Sequence, residues 1–553
     1  MLAILALALA TGLAADDPRA GYDVLAYRID LTVDPRARRI EGTVGVEARV
    51  GPKPLPSLVL DLDPQLELGT VQLLTGALDG QRALAGVPLV VQREGRRIVA
   101  TFAEPQKPGA RLALAIAYGG TPPESSSFEG FHWKKSPDGQ PWIGVACQGS
   151  GSSAWWPCKD SFWHPEDKPE RTWINLRVPA GLSGVANGHL VSKEKQGAWD
   201  VFHWEHPYPC ETYALSVYVG AYTEVATTLE VAGHKLDFVY WVLPEDAAKA
   251  RVQFADVPAM LETYSEAFGE YPFAKSKFAL VQSSYWGMEH STCIAYGSSF
   301  PKWCAQQGTP DPYADQNRFF DYILVHESAH EWWGNAVSAK SWDDFWIHEG
   351  FATYAESLYV ERVLGEEQLD EYWERLRPLV GAQDRLCAGG TPDSGAAYSG
   401  ALYHKGAWVL HTLRWYVDDD EQWWKTLREF NAQYRYKNAG TDDFRALLEK
   451  NTGKKWERFF KAWFQGSGYP ELVGRIRPEG GKVLLEIENR GSAETQFEVP
   501  IVLDWRDGKD QHHERVMLAP GSNKLEFPCK VRPADLRAHG WERVLGKHSI
   551  KVE

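Results

Sequence analysis

The stretch Val325-His326-Glu327-Ser328-Ala329-His330-Glu331 constrains this chain more than any other. Apolar or aromatic residues at Phe319, Phe320, Ile323, Leu324, Trp332 and Trp333 recur near helical spacing, and Gly334-Asn335 reads as a C-terminal stop. On such a helix His326 and His330 are four apart and share one face, so both imidazoles can reach one metal ion. Glu327 falls off the ligand axis, where it can act on a water at the metal. With 16 histidines in 553 residues, chance supplies such a motif about 0.03 times per chain. A metal site is favoured over a coincidence in a surface helix.

A tetrahedral catalytic zinc takes three protein ligands and keeps its fourth position for water. Glu349, nineteen residues after His330, is the candidate third ligand. It opens a second periodic run (Phe351, Tyr354, Ala355, Leu358, Tyr359, Val363), which predicts another helix. Two helices joined by a turn would set Glu349 against the histidine pair. Glu356, on the same helical face, reads either as a hydrogen-bond partner of a ligand histidine or as half of a surface salt bridge.

A chain of 553 residues exceeds a single core, and three or four domains are expected. Its net charge of −15 argues against nucleic acid or an anionic membrane as partner. Residues 1–15 are apolar, end in small residues and precede Asp16-Asp17, as in a secretory signal, so a secreted or periplasmic protein is expected. The run is too short to span a bilayer, and no other stretch is suited to it. Seven cysteines leave at least one unpaired within a monomer. Cys147 with Cys158, or Cys293 with Cys304, could close short loops, and buried thiols are an equal reading.

The expected architecture is multidomain α+β. Residues 16–225 alternate in short strands punctuated by Gly, Pro and Asp, as an all-β domain does. Within them Cys147 to Asp160 reads as a Gly-Ser loop at a cleft edge, without the order of a serine-hydrolase elbow or a P-loop. Residues 226–470 are mostly helical and hold the metal motif. Residues 471–553 alternate again, with turns at Gly480-Gly481, Asp507-Gly508 and Pro520-Gly521, as a β-sandwich would.

With these elements in place, the chain resembles the gluzincin aminopeptidases, the family of aminopeptidase N and leukotriene hydrolase, from about Tyr22 onward. His326, Glu327, His330 and Glu349 match the family's zinc pattern, and Trp342 to Gly350 is similar to its segment around the distal ligand. Trp286-Gly287-Met288-Glu289-His290 aligns with the family's Gly-x-Met-Glu-Asn motif, with Trp286 and His290 as departures. The resemblance implies a thermolysin-like catalytic domain and one catalytic Zn2+. It implies that Glu289 grips the substrate's free amine, helped by Gln148. Tyr403-His404-Lys405-Gly406 resembles the segment whose tyrosine faces the reacting carbonyl, with Tyr398 as rival for that role. By the resemblance, a short form is expected, without the family's large C-terminal helical domain.

The implied activity is hydrolysis of the N-terminal peptide bond. Glu327 would be the general base and Tyr403 the oxyanion donor, while Gly287, Met288 and Tyr285 would contribute to the pocket for the first residue. Peptides with a free N-terminus are the expected partners. An endopeptidase or a hydrolase of a non-peptide substrate would keep the zinc but not need Glu289. A metal-stabilised binding protein would need neither Glu327 nor Tyr403.

Overall fold

A computed structural model describes residues 17–81, 84–124, 129–148, 151–387, 389–391, 393–491, 497–529 and 534–553. The expected signal segment, residues 1–15, lies outside them. The chain divides into two compact units. The first runs to Trp342 and takes in Gly390–Ala397 and Tyr434–Asn438; the second holds Asp343–Gly389, Tyr398–Gln433 and Ala439–Glu553.

In the first unit β1 (Tyr22–Asp34), β2 (Arg39–Val50) and β3 (Arg111–Gly120) run antiparallel in succession within an eight-stranded sheet. Their alternating Val, Ile and Leu residues fill one core, as at Val24, Ile29, Val44, Val46 and Ile116. β4 (Pro141–Cys147) belongs to a separate four-stranded sheet, and β5 (Arg171–Pro179) returns to the first, parallel to β1 with Ile29 opposite Ile174. β6 (Val217–Gly220) pairs with β4, and β4 delivers the chain to Gln148.

A five-stranded sheet carries the rest of the site. It contains β7 (Thr223–Val231), β8 (His234–Val242), β9 (Phe278–Gln282), β10 (Gly287–Met288) and β11 (Ile294–Tyr296), in the order β7-β8-β9-β11-β10. β10 is therefore an edge strand, paired on one side only, with Gly287 opposite Tyr296 and Met288 opposite Ala295. Two helices matter here, α1 (Val257–Phe268) and α2 (Tyr322–Ala329). The Tyr264 hydroxyl on α1 donates to the Val325 carbonyl of α2 at 2.9 Å.

The second unit is built on α3 (Trp346–Val363), whose residues from Trp346 to Val360 are all buried. A helix buried on every side needs no polar face, and Phe464 and Phe444 pack against its Trp346 and Phe351. α4 (Gly406–Val417) lies against α3 and follows a widened turn at Ala401–Lys405. The last 83 residues by numbering form two sheets. One holds β12 (Glu471–Glu479), β13 (Lys482–Arg490), β16 (Gly521–Pro528) and β18 (Lys547–Val552); the other holds β14 (Val499–Asp507), β15 (Asp510–Leu518) and β17 (Ala534–His539). Trp505 of the second meets Phe527 of the first, ring centroids 5.8 Å apart. The multidomain α+β class expected from sequence is what the structure has.

Two expectations need correction. The metal helix stops at Ala329, with His330 as its C-cap, and does not continue through Trp333. Beyond it Asn335 N, Ala336 N and Val337 N reach back five residues to the carbonyls of His330, Glu331 and Trp332, a widened turn that buries Trp332 and Trp333 against α1. The segment around Ser152 is not an open loop. Ser152, Ser153, Trp155 and Trp156 are buried, and the Asp160 carboxylate accepts from the Ser152 and Ser153 amides at 3.1 and 2.8 Å. No disulfide joins the seven cysteines.

Candidate metal centre and its surroundings

Asp321 starts α2 by accepting from Leu324 N, which fixes the helical phase five residues before His326. His326 and His330 are both buried, and their Nε2 atoms lie 3.2 Å apart. His330 Nδ1 is 2.9 Å from the Trp333 carbonyl, which can only accept, so the ring proton sits on Nδ1 and the Nε2 lone pair faces His326. Tyr322 stacks on His326 at 5.0 Å and holds that ring. Two nitrogens bound at 2.0–2.1 Å to one tetrahedral ion stand about 3.3–3.4 Å apart. The observed pair fits a divalent cation.

Glu327 points to the same place. The carboxylates of Glu289 and Glu327 and a ring nitrogen of His330 lie within 4.8 Å of one another, all buried. Glu289 arrives on the turn after the edge strand β10, and Gln148 Nε2 donates to its Oε1 at 3.0 Å. Gly287 leaves room for the carboxylate of Glu327. A Cβ there would lie 2.6 Å from Ile323 Cδ1 and 2.9 Å from Glu327 Oε1.

The neighbours expected to shape a pocket are more deeply set than their motif suggests. The Tyr285 hydroxyl donates to the Val145 carbonyl at 3.1 Å and its ring lies 4.6 Å from His132; Met288 is also buried. His290 is fully buried, with Nδ1 2.6 Å from the Tyr218 hydroxyl, and burial pushes its pKa down to about 3. It is a neutral packing residue.

In the second unit Glu349 is buried in the first turn of α3, and Tyr403 is partly buried in the turn before α4. These two elements meet at Gly350, whose Cβ position lies 3.2 Å from the Leu402 carbonyl. The Lys405 ammonium donates to the Asp384 and Gly466 carbonyls at 2.8 and 2.9 Å and pins the turn. Glu356 is buried and accepts from Tyr372 OH at 2.7 Å, which excludes the surface salt bridge. The first unit thus brings His326, Glu327, His330, Glu289 and Gln148 together, and the second brings Glu349 beside the turn of Tyr403.

Sequence reasoning passed over Glu331 and Asn335. Both are buried, and Asn335 Nδ2 donates to the Glu289 carbonyl and to Glu331 Oε1 at 2.9 Å each. The available signal was a charged and an amide residue after His330, on either side of the pair Trp332-Trp333.

Residues 253–463 match the model of the peptidase family M1 domain. The chain is 24% identical over 401 residues to Aminopeptidase M1 of Arabidopsis thaliana, covering 67% of this chain and 44% of that protein. It is 23% identical over 497 residues to Aminopeptidase B of Mus musculus, covering 83% and 71%. Against the plant protein and an archaeal probable aminopeptidase 2 the chain spans less than half of the relative's length, 44% in each case. A crystal structure of an M1 zinc metallopeptidase from Deinococcus radiodurans shares the fold, with a TM-score of 0.66 at 23% identity over 81% of this chain and 95% of that one. The matched domain, the relatives and the fold together make residues 253–463 a peptidase family M1 domain and the chain similar to M1 aminopeptidases.

Proposed function

We propose that this protein is a zinc-dependent aminopeptidase that releases the first residue of peptides with a free N-terminus. The observation that carries the reading is the convergence of two imidazole nitrogens 3.2 Å apart with two buried carboxylates at the same histidine. His326, His330 and Glu349 would hold the ion. The burial of Glu349 and its spacing from the histidines support it as third ligand. Bound there, zinc supplies Lewis acidity to the scissile carbonyl and to the attacking water.

Glu327 takes the proton of that water as general base and returns it to the leaving amine. Tyr403 donates its hydroxyl to the oxyanion that develops, a contribution typically of about 10²–10³ in rate. Glu289 receives the protonated α-amine. Gln148 Nε2 donates to one of the Glu289 carboxylate oxygens and orients it. The edge strand β10 lies beside Glu327, and Met288 and Tyr285 close the space behind it. Only a chain terminus carries a protonated α-amine next to the scissile residue, so cleavage is confined to the first bond.

The test is a panel of aminoacyl fluorogenic substrates and their N-acetylated forms, with and without chelator and with zinc restored. Chelator-sensitive release from the free-amine forms alone supports the reading. Efficient cleavage of the blocked forms would refute the amine clamp.

A further inference from the structure

We propose that Asn335 is a positioning residue that fixes the amine-binding turn of Glu289 relative to the histidine pair. The inference rests on the aminopeptidase reading and adds to it the device that sets its register. Asn335 stands five residues after His330 and is tied to it directly, its backbone N–H donating to the His330 carbonyl at 2.9 Å. Its side-chain amide has two hydrogens, and both are used. One bond goes to the Glu289 main-chain carbonyl and the other to Glu331 Oε1, each 2.9 Å. One small side chain therefore bridges the metal helix and the turn that carries the amine acid.

A second strut runs alongside. Glu331 Oε1 also accepts from Thr292 N at 2.9 Å, and Tyr271 OH donates to the other carboxylate oxygen. Thr292 has φ of 57°, a left-handed conformation that a β-branched residue rarely adopts. Such a conformation persists where its surroundings over-determine it, and here the surroundings are Glu331 on one side and Gly188 N, which donates to Thr292 Oγ1 at 2.8 Å. The turn from Met288 to Cys293 is thus tight, buried and held from the metal helix.

Lys168 offers a control within the same structure. Its ammonium donates to the Asn335 and Ala336 carbonyls and to Ser338 Oγ at 2.7, 3.1 and 2.6 Å. It braces the same turn but makes none of these bonds to Glu289. A variant that only loosens the turn, Lys168→Met, separates bracing from positioning.

The experiment measures metal content, thermal stability, KM, kcat and the preference for free over N-acetylated substrate in wild type, Asn335→Ala and Lys168→Met. Asn335→Ala is expected to keep its metal, to raise KM about tenfold with a smaller change in kcat, and to lose about tenfold of the free-amine preference. Lys168→Met is expected to lower the melting temperature and leave that preference intact. An Asn335→Ala protein with wild-type KM and preference overturns the proposal, and so does one that loses metal and stability together with activity, which marks a mere brace. If Asn335→Ala does not fold, Asn335→Ser supplies the same comparison with one donor kept. A wild type without free-amine preference would remove the parent reading instead.

Discussion

Gly350 of α3 and Gly406 of α4 touch backbone to backbone: a Cβ on Gly406 would lie 2.8 Å from the Gly350 Cα, and one on Gly350 would lie 3.0 Å from the Gly406 Cα. Glycine to alanine inside a helix ordinarily gains about 1 kcal/mol. Here the sign reverses, because neither backbone can step aside without parting the helices. Gly406→Ala is expected to cost about 1–3 kcal/mol, the range for overpacking a tight contact. Tyr403 precedes Gly406 on the same turn, so kcat should fall at least tenfold as well. Thermal unfolding and steady-state kinetics of the purified variant check both; a stabilised, fully active Gly406→Ala would show that the contact does not set the turn.

Glu327 and the histidines should separate chemistry from metal binding. Glu327→Gln keeps the shape of the buried side chain and removes the proposed base, so kcat should drop by about 10²–10⁴ with the metal retained. His330→Ala should lose the metal outright, because its Nε2 is one of the two nitrogens proposed to hold the ion. Metal analysis by mass spectrometry beside kinetics distinguishes them. Loss of metal from Glu327→Gln would assign that carboxylate to the ligand set instead.

Gly287 gives a subtler test of the same base. An alanine there meets Ile323 Cδ1 at 2.6 Å and Glu327 Oε1 at 2.9 Å. Both are side-chain ends, but both belong to buried residues of α2. Gly287→Ala should therefore reduce kcat about tenfold or more by displacing the Glu327 carboxylate, with metal content unchanged. Adding Ile323→Val removes the nearer clash and should recover stability without recovering kcat. Recovery of both would mean that the steric effect never reached Glu327.

The parts of the site legible in the sequence are those fixed by local geometry. A helix puts residues four apart on one face, so His326 and His330 could be paired from spacing alone, and their Nε2 atoms do meet. Glycine and proline punctuation likewise separates the β-rich ends from the helical middle. What escaped depends on tertiary contacts. The helix ends at Ala329 because Trp332 and Trp333 are drawn into the core against α1, which outweighs their helical spacing. The segment after Gly151 carries a loop's composition, yet Asp160 satisfies its amides and lets it be buried. Asn335 has no periodicity to betray it; only the packing of two distant segments gives its amide a task. His290 sits inside a recognisable motif, and its pairing with Tyr218 could not be read from either residue.

His164 provides a pH dependence away from the metal. Its Nδ1 lies 2.9 Å from Glu166 Oε1, and its Nε2 stands 3.6 Å from Asp17 Oδ2, an ion-pair distance. Burial and the nearby Lys159 ammonium work to lower its pKa, but the Asp17 and Glu166 carboxylates outweigh them, and the net shift is upward from the ordinary 6.5. Asp17 is held ionised, since the burial that would raise its pKa is overcome by His164 and Arg19. A group whose pKa is higher in the folded state than in the unfolded one binds its proton more tightly when folded. Its stabilisation is therefore complete below about 6.5, the unfolded value. It is lost as the pH rises through the raised folded value. His164→Gln should accordingly be destabilised most in mildly acidic buffer, and the gap to wild type should narrow above neutrality. Melting temperatures of the two proteins between about pH 5.5 and 8.5 check this, and a gap that stays constant across the series would show that the imidazolium charge contributes nothing.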